Sequence, residues 1–191
     1  MIKNWNPFFL IWLTILIVSC SGQRLESSSL SENNELLSNR RFDYEGKGMQ
    51  PTIGVKAILS VNEVEYIEGV PKRGDIILFR HPKNLDIFLV KRIIGLPNEQ
   101  VLMSDEMVWI DDKRIQESYL TTSANYSGEW SLGEEEYFVL GDNRNYSSDS
   151  HLWGGVPFQN IIGKITAVCD NISPDSCEIF EDQTYDAIPQ P

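Results

Sequence analysis

Apolar residues along most of the chain fall in short runs divided by turn-forming clusters, at the length and alternation of strands rather than helices. Residues 55–64 and 75–79 read as two strands, with Pro71-Lys72-Arg73-Gly74 as the turn between them and His81-Pro82 closing the second. A third strand surrounds Ile87-Phe88-Leu89-Val90-Lys91-Arg92-Ile93-Ile94, apolar apart from the two cations inside it. Residues 103–119 predict a hairpin with Asp111-Asp112 at its tip, 126–132 is irregular and aromatic, and 137–140 and 158–168 supply further strands. Trp130 and Trp153 are expected in the core, with a membrane interface as the other place for them.

The first forty residues depart from this rhythm. Residues 8–18 are an almost unbroken apolar run preceded by Lys3 and ending Ile17-Val18-Ser19-Cys20. A bilayer-spanning helix needs about 20 apolar residues, so the run suits the apolar region of an export signal better than a span. It resembles a bacterial lipoprotein signal with Cys20 as the lipidated terminus; an uncleaved signal anchor is the other reading. Residues 21–41, rich in Ser, Asn and Glu, read as a flexible tether.

A chain of 191 residues makes one medium domain. Its 41% hydrophobic and 23% charged content is that of a globular protein. The formal net charge of -12 lacks the basic face a nucleic-acid partner requires and disfavours broad adhesion to anionic lipid. Membrane attachment is therefore expected through the lipid anchor. With two histidines and no suitable cysteine cluster, neither a metal nor a cofactor is expected. In an exported chain, setting Cys20 aside for lipid leaves Cys169 and Cys177 as an even pair for a disulfide.

Two stretches carry candidate chemistry. Gly141 begins a polar loop, Gly-Asp-Asn-Arg-Asn-Tyr-Ser-Ser-Asp-Ser-His-Leu-Trp-Gly, at a strand end. Asp142, Asn143, Arg144, Ser147, Asp149 and His151 offer more hydrogen-bonding groups than a connection needs, although such clusters also form plain turns. Lys91, held in an apolar strand, gains a lowered pKa and an amine able to act as a base. A lysine whose stem packs while its amine reaches water is the structural alternative.

Together these stretches resemble the bacterial type I signal peptidases, membrane-bound Ser-Lys endopeptidases that remove signal peptides. Gly141, Asp142, Asn143, Arg144, Ser147, Asp149, Ser150 and Gly154 match one signature, and Lys91 to Pro97 matches the Lys-Arg-x-x-Gly-Leu-Pro box. Arg73-Gly74-Asp75-Ile76-Ile77-Leu78-Phe79 resembles the strand box between, and the likeness runs over about 44–168. It implies a mainly β, signal-peptidase-like antiparallel domain of coiled sheets with a short inserted β-hairpin region. The expected division is a signal peptide at 1–19, lipidated cysteine and tether at 20–41, the β domain at 42–170 with its insertion at 98–137, and a tail at 171–191.

The resemblance also assigns roles. Lys91 matches the general base, Ser147 the residue that orients its amine, and Met49, Pro51 and Thr52 the segment after the nucleophile. Arg92 is expected to pair with Asp142. Asp149 normally pairs with an arginine where this chain has His151, an exchange expected to weaken the pair at neutral pH. The nucleophilic serine is replaced by Gly48 and the serine lending its hydroxyl to the oxyanion hole by Gly46. Glycine has no oxygen with which to attack a carbonyl. The expectation is thus a non-catalytic homologue at the outer face of a bacterial membrane that binds an extended, signal-peptide-like segment. Two alternatives stand: an active peptidase with a displaced nucleophile, Ser147 or less readily Thr52, and a structural lipoprotein on the same scaffold.

Overall fold

The computed structural model describes residues 39–170 and 176–180. The expected signal segment and Cys20 lie outside the described residues, among which no helix is long and apolar enough to cross a membrane. Strands dominate: β1 Asn39–Tyr44, β2 Ala57–Asn62, β3 Ile76–His81, β4 Asn84–Gly95, β5 Gln100–Ser104, β6 Met107–Ile110, β7 Lys113–Arg114, β8 Gly128–Ser131, β9 Glu136–Leu140, β10 Val156–Pro157, β11 Ile161–Asp170 and β12 Cys177–Ile179. Two four-residue helices, α1 Glu65–Glu68 and α2 Ser150–Trp153, interrupt them. The mainly β, antiparallel class read from the sequence is the class observed.

The larger sheet runs β1-β2-β11-β3-β4-β9-β10, with β12 also on β11, and the smaller runs β7-β6-β5-β8. Each strand pairing is antiparallel. Alternation explains how β3 is buried on both faces. Ile76 and Leu78 pack with Met49, Leu59, Val61, Val90 and Ile165, whereas Ile77 and Phe79 pack with Ile93, Tyr137, Val139 and Val156. A third cluster, including Ile94, Val101, Met103, Ile110 and Leu132, joins the small sheet to β4 and to Phe138 and Leu140 of β9.

β1 and β4 stand four places apart in the large sheet, yet both line one groove. The sheet therefore curls until its distant strands face each other, the coiled form expected from the right-handed twist of strands.

Several boundaries differ from the sequence reading. Residues 39–41, expected in the tether, open β1 and pair with β2. Residues 177–179, expected in a tail, form β12 on β11, and the Cys169–Cys177 disulfide fastens that pairing. The inserted stretch is a four-stranded sheet rather than a lone hairpin. Asp111-Asp112 is a two-residue turn as expected, with both residues at positive φ, but it joins β6 to β7; a like turn at Asp105-Glu106 joins β5 to β6. Trp130 packs on Phe138 (centroids 4.8 Å apart) and Trp153 on Phe79 (6.1 Å), both half-buried.

Candidate active site

Lys91 leaves the middle of β4, opposite Ile77 of β3, and is 6% exposed. Among the described residues its amine has no hydrogen bond and no ion pair. Burial pushes its pKa below the ordinary lysine value, while the charges of Asp149 and Asp142 push it back up. The amine reaches the segment between β1 and β2, where Gly48 lies: a Cβ built on Gly48 would stand 2.8 Å from Lys91 Nζ and 3.3 Å from Ser147 Oγ. That hydroxyl is buried and has no hydrogen-bond partner among the described residues. Three residues far apart in sequence thus converge on one point.

The loop after β9 holds this arrangement. The backbone N–H of Asn143 donates to the Gly48 carbonyl (3.0 Å) and its side-chain amide to the Lys47 carbonyl (3.1 Å). Gly141 is required by proximity: a Cβ there would come within 2.2 Å of Ser147 Oγ and 2.4 Å of the Gly48 carbonyl oxygen. Asp142 receives Arg92 through two bonds, Nε to Oδ1 at 2.9 Å and Nη2 to Oδ2 at 2.7 Å, with both side chains almost wholly buried. Thr52 Oγ1 donates to the same carboxylate at 2.5 Å. Met49 is fully buried beneath the segment and Pro51 follows a cis peptide bond.

Asp149 caps α2, accepts from the backbone N–H of Gly141 at 3.0 Å and lies 2.5 Å from His151 Nδ1. Replacement of the expected arginine therefore leaves the contact in place, and Tyr126 stacks on the imidazole at 3.8 Å between centroids. Arg144, also buried, donates to both carboxylate oxygens of Glu117. The Tyr119 ring lies 4.0 Å from the Arg92 guanidinium.

At Gly46 the structure adds something the sequence did not signal. A Cβ there would be 2.5 Å from the Tyr44 hydroxyl oxygen, so the Tyr44 ring fills the side-chain space of position 46. Burial first, and then Asp142, pushes the Tyr44 pKa up to about 12 against the opposing bond from the Met49 backbone. Tyr44, Glu117, Tyr119 and Tyr126 were absent from the sequence-level site. Glu117, Tyr119 and Tyr126 reach Arg144, Arg92 and His151 from distant parts of the sequence, which no local spacing encodes.

The groove beside Lys91 measures about 280 Å³ and is lined largely by apolar side chains, among them Phe42, Leu59, Leu78 and Val90, with Asp43 and Glu45 also on its lining. β1 is the terminal strand of the sheet, and β9 pairs with β4 only from Arg92 to Gly95. The groove thus lies beside strand edges that are unpaired among the described residues. Unpaired edges offer main-chain donors and acceptors to an added strand.

A buried lysine and a buried serine hydroxyl thus converge on a glycine within a curled antiparallel sheet. The chain belongs to the family described as signal peptidase, peptidase S26, whose profile matches residues 36–169. It is 40% identical over 127 residues to a signal peptidase I of Leptolyngbya laminosa, a match covering 62% of each chain. It is 36% identical over 122 residues to a probable signal peptidase I-2 of Synechocystis, covering 61% of this chain and 56% of that one. The chain thus spans less than two thirds of the length of these two relatives. A crystal structure of a signal peptidase I from Enterococcus faecalis V583 aligns with a TM-score of 0.47 and 34% identity, over 51% of this chain and 98% of that one.

Proposed function

We propose that this is a non-catalytic signal-peptidase-like domain that binds an extended peptide at the outer face of a bacterial membrane, held there by lipid on Cys20. The observation that carries the reading is the position of Gly48. A serine in its place would bring its Oγ to Lys91, which would take the proton as the oxygen attacked a peptide carbonyl. Glycine leaves the lysine nothing to deprotonate. Loss of a serine nucleophile costs on the order of 10^6 in turnover in a comparable protease.

The groove supports peptide binding on its own terms. Unpaired strand edges give main-chain affinity, and the apolar walls select side chains. The displaced-nucleophile alternative is disfavoured by accessibility. Ser147 Oγ is sealed from solvent, and the Thr52 hydroxyl is committed to Asp142.

The test is cleavage of a signal peptide with small residues at the cut site by the full chain in detergent. We expect no cleavage from the natural chain, cleavage from Gly48→Ser, and its loss again in Gly48→Ser with Lys91→Ala. The lysine end must shift slightly to admit the new Cβ, which a flexible side chain does cheaply. Cleavage by the natural chain that survives Gly48→Ala and disappears with Lys91→Ala would instead assign the activity to another hydroxyl.

A further inference from the structure

We propose that the Tyr44 hydroxyl takes the part of the serine hydroxyl missing at position 46 and donates to a main-chain carbonyl oxygen of the bound peptide. The inference rests on the peptide-binding reading and adds a ligand contact to it. A Cβ built on Gly46 would stand 2.5 Å from Tyr44 Oη, 2.6 Å from its Cζ and 2.8 Å from its Cε2. A side chain at 46 would have to displace the ring, and the ring in turn delivers a hydroxyl from β1 to the space that a serine there would fill. Tyr44 is half-buried and lines the groove together with Gly46, Gly48 and Lys91. The two departures from serine thus differ in kind. At position 48 the oxygen is gone, whereas at position 46 a hydroxyl is present but comes from another residue.

This hydroxyl has a proton to give. Its oxygen takes the Met49 backbone N–H, and its own hydrogen meets no acceptor among the described residues. Asp142, whose charge reaches it, is engaged by Arg92 and Thr52. With its pKa pushed up to about 12, the phenol stays protonated at neutral pH and so remains a donor. The backbone N–H of Gly48 also donates to nothing among the described residues. Two unmet donors on one groove suit an oxygen that accepts twice, and a peptide carbonyl has two lone pairs. Covering them with a ligand that offers no acceptor would cost their lost hydration. Asp43 and Glu45 lie on the same lining, so a neutral carbonyl suits the place better than an anion does.

The experiment uses Tyr44→Phe, which deletes the hydroxyl and keeps the ring, in two backgrounds of the full chain in detergent. With a labelled signal peptide carrying small residues at the cut site, fluorescence anisotropy should show Tyr44→Phe binding about 3- to 10-fold more weakly than the natural chain, the worth of one neutral hydrogen bond. In Gly48→Ser the same carbonyl oxygen gains charge as the serine attacks it. There Tyr44→Phe should lower kcat about 100-fold while KM rises only as far as binding weakens, a split that a merely structural ring would not produce. Returning the hydroxyl to position 46 is the complementary arm. Within Gly48→Ser, adding Gly46→Ser to Tyr44→Val should raise kcat above that of Tyr44→Val alone, whereas adding it beside the intact Tyr44 ring should not raise kcat. Unchanged binding and unchanged kcat in Tyr44→Phe would overturn the assignment and leave peptide binding standing. A natural chain that binds no peptide would overturn the peptide-binding reading, with kcat in Gly48→Ser still deciding on Tyr44. A natural chain that binds none and a Gly48→Ser chain that cuts none would overturn both.

Discussion

Glycine at position 48 is not demanded by its backbone. The described glycines at positive φ are Gly74 and Gly154, so an L side chain fits the φ of Gly48, and what the glycine removes is the side chain alone. Gly141 is the opposite case, excluded from carrying a Cβ by Ser147 and the Gly48 carbonyl. Gly141→Ala is expected to cost about 1–3 kcal/mol as an overpacked site. Urea unfolding measures this, and an unchanged midpoint would contradict it. Lys91 makes a second prediction, through its lowered pKa. In Gly48→Ser the neutral amine is the base, so kcat/KM should rise with pH to a midpoint below the ordinary lysine value. Asp149 and Asp142 face the amine and set how far below that value the midpoint lies. A midpoint at or above the ordinary value would contradict the burial argument. Lys91, Ser147 and Asp142 were legible because each sits in a spaced motif. Tyr44 was not, since its intrusion on position 46 depends on how the segment between β1 and β2 folds back.

The strands were legible where burial on both faces or alternation wrote itself into the chain, as in β3, β4 and β9. The insertion was less so: its strands are two to five residues long, and its turns use Asp-Glu and Asp-Asp rather than the glycine-containing pairs that mark tight hairpins. β12 escaped because three exposed residues in an acidic stretch look like a tail until the partner strand and the disulfide are known. That disulfide yields the prediction for this part of the fold. It closes a loop between cysteines eight positions apart, so the chain-entropy estimate for Cys177→Ser is a loss of about 2–3 kcal/mol. The midpoint of urea unfolding, with and without reductant, checks it. Indifference of the natural chain to reductant would show that β12 contributes no such constraint.

In the molecule as a whole, the curl of the large sheet turns separate motifs into a site. It brings β1 opposite β4, so that strand edges and an apolar groove lead to Lys91, while the loop after β9 closes on Gly48 from the other side. None of that closure is local in sequence. The family likeness supplied it as an expectation, whereas composition and alternation gave only a succession of strands in a globular protein. The retained scaffold and the missing side chain make one claim together: the groove holds a peptide without cutting it. The direct test incubates the full chain in detergent with an intact signal peptide, separates bound from free, and weighs the recovered peptide by mass spectrometry. The account predicts peptide retained by the protein and recovered at its original mass. Fragments cut at the small residues, produced by the natural chain and lost on Lys91→Ala, would contradict it.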